Sequence, residues 1–74
     1  MQIYYTILIN VIRAGGSVIV DTSLSFTSLI NLARLVANTK KTVTIRNASR
    51  LSYTALINVA RAGDGNVIFD FYEK

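Results

Sequence analysis

Apolar residues recur at helical spacing in three segments of the chain. In each segment they occupy positions i, i+3, i+4 and i+7, which lie on one face of an α-helix. The three sets are Tyr5, Leu8, Ile9, Ile12, then Phe26, Leu29, Ile30, Ala33, and then Tyr53, Leu56, Ile57, Ala60. This pattern predicts three helices whose apolar faces, including the three aromatic rings, pack in the core.

A short β-branched run follows each helical segment, at residues 18–20, 43–45 and 67–69. Such runs are too short for helices and are typical of strands. Side chains alternate between the two faces of a strand, which predicts one face toward the helices, formed by Val18, Val20, Val43, Ile45, Val67, Phe69 and Phe71. Ile19, Thr44 and Ile68 are then on the opposite face, and the last strand is expected to extend over residues 67–72.

Capping residues mark the helix boundaries. Ser25 and Ser52 are predicted N-caps, with Leu24 and Leu51 before them as hydrophobic staples. Glycines at 15–16 and at 63 and 65 are expected to stop the first and third helices in the left-handed conformation. In the second helix Asn38 is expected to take that role.

The helical segments also match one another residue by residue. Thr6–Arg13 aligns without gaps with Thr27–Arg34 and with Thr54–Arg61, sharing the pattern T-x-L-I-N-x-x-R. This similarity predicts one domain over residues 1–74 built from three solenoid-like internal repeats, about 3–21, 24–46 and 51–71. Alternating helices and strands favour an α/β fold with a three-stranded parallel sheet in order 1-2-3 and three helices on one face.

In that strand order, Arg46 lies between Asp21 and Asp70 on neighbouring strands. Opposite charges in facing positions favour this register over its alternatives. The sequence therefore makes a specific prediction of which residues stand side by side across the sheet.

Composition excludes most conventional catalysis. The 74-residue chain has no Cys and no His, so it lacks a disulfide, the usual zinc ligands and a base that titrates near neutrality. Its acids are Asp21, Asp64, Asp70 and Glu73, and none forms an evident catalytic pair. We expect no enzyme, cofactor or metal. No apolar run approaches the length of a membrane span, so a cytoplasmic protein without a membrane partner is expected.

An open sheet face predicts self-association. Parallel sheets are normally covered on both faces, whereas three helices would cover only one. We expect a homo-oligomer, with a dimer favoured, acting as a non-enzymatic protein–protein interaction or self-assembly module. The expected contacts lie on the open face and at the end of the last strand: Ile19, Thr44, Ile68, Phe71 and Tyr72.

Polyanion binding is the alternative function. The net charge is +4, with basic residues concentrated at Lys40, Lys41, Arg46 and Arg50. The outer helix faces carry a repeated polar set, formed by Thr6, Asn10, Arg13, Thr27, Asn31, Arg34, Thr54, Asn58 and Arg61. This set is interpreted either as a binding face for nucleic acid or another partner, or as a solvated surface copied with the helix.

Helix N-termini offer a second location for an anion. Ser25 and Ser52 hydroxyls near free backbone N–H groups, with Arg46 and Arg50 close in sequence, are candidate anion contacts. The simpler interpretation is that both serines only cap their helices.

Overall fold

The computed structural model describes residues 3–72, and statements about side chains refer to residues 5–72. Helices and strands alternate along these residues. Their order is α1 (Ile3–Arg13), β1 (Val18–Asp21), α2 (Phe26–Thr39), β2 (Val43–Arg46), a 3-10 turn (Ala48–Arg50), α3 (Tyr53–Gly63) and β3 (Val67–Asp70).

The three strands form one parallel sheet in the order β1-β2-β3. The predicted fold class, small α/β with three helices and a three-stranded parallel sheet, is therefore confirmed. The predicted register is confirmed as well, because Asp21 pairs with Arg46 and Arg46 with Asp70. In the middle of the strands, Ile19, Thr44 and Ile68 form one row.

The core lies between the helices and one face of the sheet. Val20, Val43 and Ile45 are the buried residues of the strands, and they cluster with buried residues of all three helices. Those helix residues are Leu8, Ile12, Leu29, Leu32, Ala33, Val36 and Val59. Because α2 packs against both α1 and α3, it lies in the middle of the helix layer, above β2.

Both predicted N-caps are confirmed. Ser25 Oγ accepts a hydrogen bond from the Ser28 N–H at 3.2 Å, and Ser52 Oγ accepts one from the Ala55 N–H at 3.1 Å. Leu24 and Leu51 pack partly buried against the core. These caps satisfy N–H groups that the first helical turn leaves without partners.

Two of the predicted helix ends are wrong by one or two residues. The second helix continues through Asn38, and Lys40 takes the left-handed conformation with φ 61°, so that its N–H bonds the Val36 carbonyl. The third helix includes Gly63, and Asp64 is left-handed with φ 47°. In both helices the N–H of the left-handed residue bonds a carbonyl of the last turn that would otherwise lack a partner. The first helix stops at a glycine with positive φ, Gly15, as predicted, and Gly65, which was predicted to act after the third helix, also has positive φ at 86°.

The predicted core face is wrong for three residues. Phe26, Tyr53 and Ala60 are exposed, and Tyr53 retains 78% of its accessible surface. Leu32 and Val59 are fully buried instead. The physical reason is that the helices also bury the sides that touch a neighbouring helix, and α2 is the helix that packs beside α3 among the described residues.

The last strand is shorter than predicted. β3 ends at Asp70, whose Oδ1 accepts a hydrogen bond from the Tyr72 N–H at 2.9 Å. This side-chain turn ends the extended conformation. As a result Phe71 lies outside the strand and is exposed.

Candidate functional site

The face of the sheet opposite the helices carries two exposed isoleucines. Ile19 on β1 and Ile68 on β3 keep 63% and 53% of their surface accessible, with Thr44 between them. They stand outward because strand alternation turns Val20, Ile45 and Phe69 toward the helices. No described helix covers this face, which we call the open sheet face: residues 17, 19, 21, 42, 44, 46, 66, 68 and 70.

Charged residues form one end of the open sheet face. Asp21, Arg46 and Asp70 stand in a row, but across residues 3–72 Arg46 forms no ion pair with either carboxylate. Asp21 instead accepts hydrogen bonds from Asn47 Nδ2 at 3.1 Å and from the Ser23 N–H at 3.2 Å. Any attraction between the exposed Arg46 and the two carboxylates is therefore long-range and screened by solvent.

These hydrogen bonds set the pKa of Asp21. Desolvation is the largest single effect on this pKa and raises it, but hydrogen bonds from Ser23, Thr22 and Asn47 act together in the opposite direction. The net result is a pKa below the ordinary value of an aspartate. A lowered pKa is typical of a carboxylate with a structural role and offers no proton donor or acceptor near neutrality.

Two further aromatic rings are exposed just beyond the end of β3. Phe71 and Tyr72 follow β3 and are exposed, and the Phe71 ring lies 6.3 Å from the ring of Phe69. The structure thus places all five predicted association residues where a second chain can reach them, although Thr44 is half-buried between its neighbours.

The repeated polar set on the helices lies on the outer surface of the helix layer, and all nine of its residues are exposed. Arg34, Asn58 and Arg61 are brought together with Phe26 around a shallow groove of about 460 Å³ between α2 and α3. An adjoining groove of about 370 Å³ continues past Phe26 to Ser52 and Ala55.

Phe26 was not identified from the sequence as a residue of this groove. Its position on the apolar helix face suggested burial. The signal that could have placed it is the small size of Ala55 and Ala62 on the facing helix, because small side chains leave part of a neighbouring ring uncovered. With two guanidinium groups beside a ring, the groove offers positive charge and a stacking surface together.

The two serines among the candidate anion contacts both act as helix caps. The hydroxyls of Ser25 and Ser52 are engaged in capping, and Ser25 also donates to Ser28 Oγ at 3.0 Å. Arg46 ends β2 and Arg50 ends the 3-10 turn, both exposed. For these serines the structure agrees with the simpler interpretation, in which both cap their helices.

Residues 3–72 contain no group of three or more His, Cys, Asp or Glu side chains arranged to hold a metal ion. Within the same range, none of the helices combines the length and apolar character that a membrane crossing requires. Comparison with family models, with curated protein sequences and with solved structures gave no significant match. The class of protein is therefore defined by its physical description, a small α/β protein with one sheet face covered by helices and the other open.

Proposed function

We propose that this chain is a non-enzymatic self-association module, built from three copies of one helix–strand unit, whose main contact surface is the open sheet face. The observation that carries the proposal is the pair Ile19 and Ile68, which stand exposed on a parallel sheet. Parallel sheets are rarely stable with one face in water. A second copy is the simplest cover for this surface.

The open sheet face offers apolar surface that a homodimer can bury. Complete burial of an isoleucine contributes about 1.5 to 3 kcal/mol, and Ile19 and Ile68 still expose about half of their surface. Each therefore has about 1 kcal/mol or somewhat more to gain, and a symmetric dimer buries four such side chains. Phe71 and Tyr72 add aromatic surface at the edge.

The composition supports a role without catalysis. A chain with neither Cys nor His has few groups suited to proton transfer near neutral pH. The proposal also takes the cytoplasm as the site of action, which localisation of a tagged chain tests.

Sedimentation analysis tests the proposal directly. The wild-type chain is expected to increase in mass over the micromolar range, and a clean monomer at tens of micromolar would contradict the proposal. A variant with Ile19→Lys and Ile68→Lys loses the contact through the open sheet face and is expected to associate much more weakly than the wild type. The matched control, Thr27→Lys with Thr54→Lys, adds the same charge on the outer helix surface and is expected to associate as the wild type does, with circular dichroism checking that both fold.

Polyanion binding is a second candidate, favoured by the meeting of Arg34 and Arg61 at one groove. Salt separates the two functions. Binding of a generic oligonucleotide should weaken steeply as salt is added, because the release of counterions from the nucleic acid then contributes less. Self-association of a chain with net charge +4 should strengthen with salt, because screening reduces repulsion between copies. If Arg34→Ala and Arg61→Ala leave oligonucleotide binding unchanged, the groove is not the binding site.

A further inference from the structure

The contact between α2 and α3 defines which side of each helix faces a neighbour. Phe26 and Ile30 on α2 line the grooves opposite Ala55, Asn58 and Ala62 on α3. We call the side of a helix that contains Ala55 and Ala62 the leading side, and the side that contains Phe26 and Ile30 the trailing side. In the middle of the layer, the trailing side of α2 is thus covered by the leading side of α3.

The leading side of α1 has no helix against it among the described residues. In the alignment of the three segments, Ile7 and Ala14 occupy the positions of Ala55 and Ala62, and Val11 occupies the position of Val59. Val59 is completely buried, whereas Val11 and Ile7 keep 40% and 52% of their surface exposed. The same helix position is therefore covered inside the layer and uncovered at its start.

The trailing side of α3 is uncovered in the same way. Tyr53 and Ala60 occupy the positions that Phe26 and Ala33 have on α2. Ala33 is completely buried and its methyl lies close to Gly63 of α3, whereas Ala60 and Tyr53 are exposed. The two ends of the helix layer therefore expose different apolar sides, the leading side of α1 and the trailing side of α3. Inside the layer, a trailing side and a leading side pack on each other between α2 and α3.

We propose that the leading side of α1 in one copy docks on the trailing side of α3 in a second copy, repeating the α2–α3 contact between molecules. The inference rests on the proposed self-association and assigns it a second, head-to-tail surface. The partner is a second copy of this chain. Its α3 would present to α1 the same side that α2 presents to α3 within one molecule. Such a contact joins two different patches, so it generates a ring or an open filament.

The sheet supplies one opposing interaction. Docking of the helices brings β3 of one copy beside β1 of the next, with Asp70 and Asp21 at the same level if the register of the sheet continues. Like charges in facing positions destabilise strand pairing. The substitution Asp70→Asn is therefore expected to tighten association by about 1.4- to 5-fold.

Cysteine cross-linking tests the geometry, because the chain has no Cys of its own. The pair Phe26 and Ala55, which line one groove, corresponds to Tyr53 of one copy and Ile7 of the next. Single variants Ile7→Cys and Tyr53→Cys are mixed and oxidised, and the products are separated by mass. Both positions are exposed, so neither change removes a buried side chain. The control mixes Ile7→Cys with Thr27→Cys, which places the second thiol on the outer surface of α2.

The expected result is several-fold more mixed disulfide from Ile7→Cys with Tyr53→Cys than from the control pair. If Ile7→Cys oxidised alone gives as much disulfide-linked dimer as the mixture with Tyr53→Cys gives mixed disulfide, the head-to-tail arrangement is overturned. That product would place α1 against α1. If the wild type associates but the mixture gives no more product than the control, this inference is overturned while the proposed self-association stands. If the wild type remains monomeric, both are overturned.

Discussion

Gly63 is the position where one added methyl group tests the packing of the last helix on the last strand. A Cβ built at this buried residue would overlap Val67 Cγ2, and it would lie 3.2 Å from Val67 Cβ and 3.6 Å from the Ala33 Cβ. Gly63 is the last residue of α3, and its φ is not positive. The substitution Gly63→Ala is therefore free of backbone strain, and its effect isolates the contact with Val67.

Two opposing effects determine the sign of the result. Replacing glycine by alanine in a helix stabilises by up to about 1 kcal/mol, and less in the last turn. Overpacking of a core typically costs about 1 to 3 kcal/mol. Rotation of Val67 can move its Cγ2 but not its Cβ, and a β-branched side chain has few alternative rotamers. We expect Gly63→Ala to lower the free energy of unfolding by about 1 to 2 kcal/mol.

Urea unfolding of four proteins measures this effect as a double-mutant cycle. The proteins are the wild type, Gly63→Ala, Val67→Ala and the double variant. In the Val67→Ala background the contacting methyl is gone, so the further substitution Gly63→Ala should change stability by less than about 1 kcal/mol in either direction. Additive effects in the cycle, or a Gly63→Ala protein more stable than the wild type, would refute the packing argument.

Two further predictions concern other parts of the chain. Val59→Ala removes two buried carbon atoms and should lower the free energy of unfolding by about 2 kcal/mol. Val11→Ala, at the aligned but exposed position, should lower it by well under half as much in a dilute monomer. Equal losses in urea unfolding would contradict the assignment of helix sides. Asn47→Gly keeps the left-handed conformation, φ 58°, but removes a hydrogen bond to Asp21, so the pKa of Asp21 should rise. In the wild type the folded-state pKa of Asp21 is depressed, so the stabilisation from this hydrogen bond is present above the unfolded-state pKa and disappears as the pH falls through the folded-state pKa. The Asn47→Gly variant lacks that stabilisation. Carboxyl NMR titration measures the shift, and an unchanged Asp21 pKa would exclude this role for Asn47.

Local signals in the sequence predict most of the fold. Ser25 and Ser52 cap helices because a hydroxyl at that position satisfies free N–H groups, which depends only on nearby residues. Strand order follows from the alternation of helices and strands, since short right-handed crossovers leave few other arrangements. The Asp21–Arg46–Asp70 row then follows from strand order and the alignment of the units.

The errors arise where a residue's surroundings depend on which helix or turn lies beside it. Periodicity identifies the apolar face of a helix but not the side that a neighbour covers, so Phe26 and Tyr53 were expected in the core. Phe71 was expected to face the helices as part of the last strand, but the strand ends at Asp70 and Phe71 is exposed. The groove at Arg34 and Arg61 depends on how α2 and α3 approach each other, which no local pattern specifies.

The strand order has a consequence for how copies of the chain can exchange parts. Every strand pairs only with the strand next to it in the chain, and the unit of α3 and β3 is joined to β2 by a single connection that includes the 3-10 turn. If this unit detaches, it uncovers on α2 and β2 the surface on which the same unit of another molecule can fold. Domain swapping of the C-terminal unit is therefore a route to dimers that needs no new contact surface, and it would yield pairs that separate only by partial unfolding.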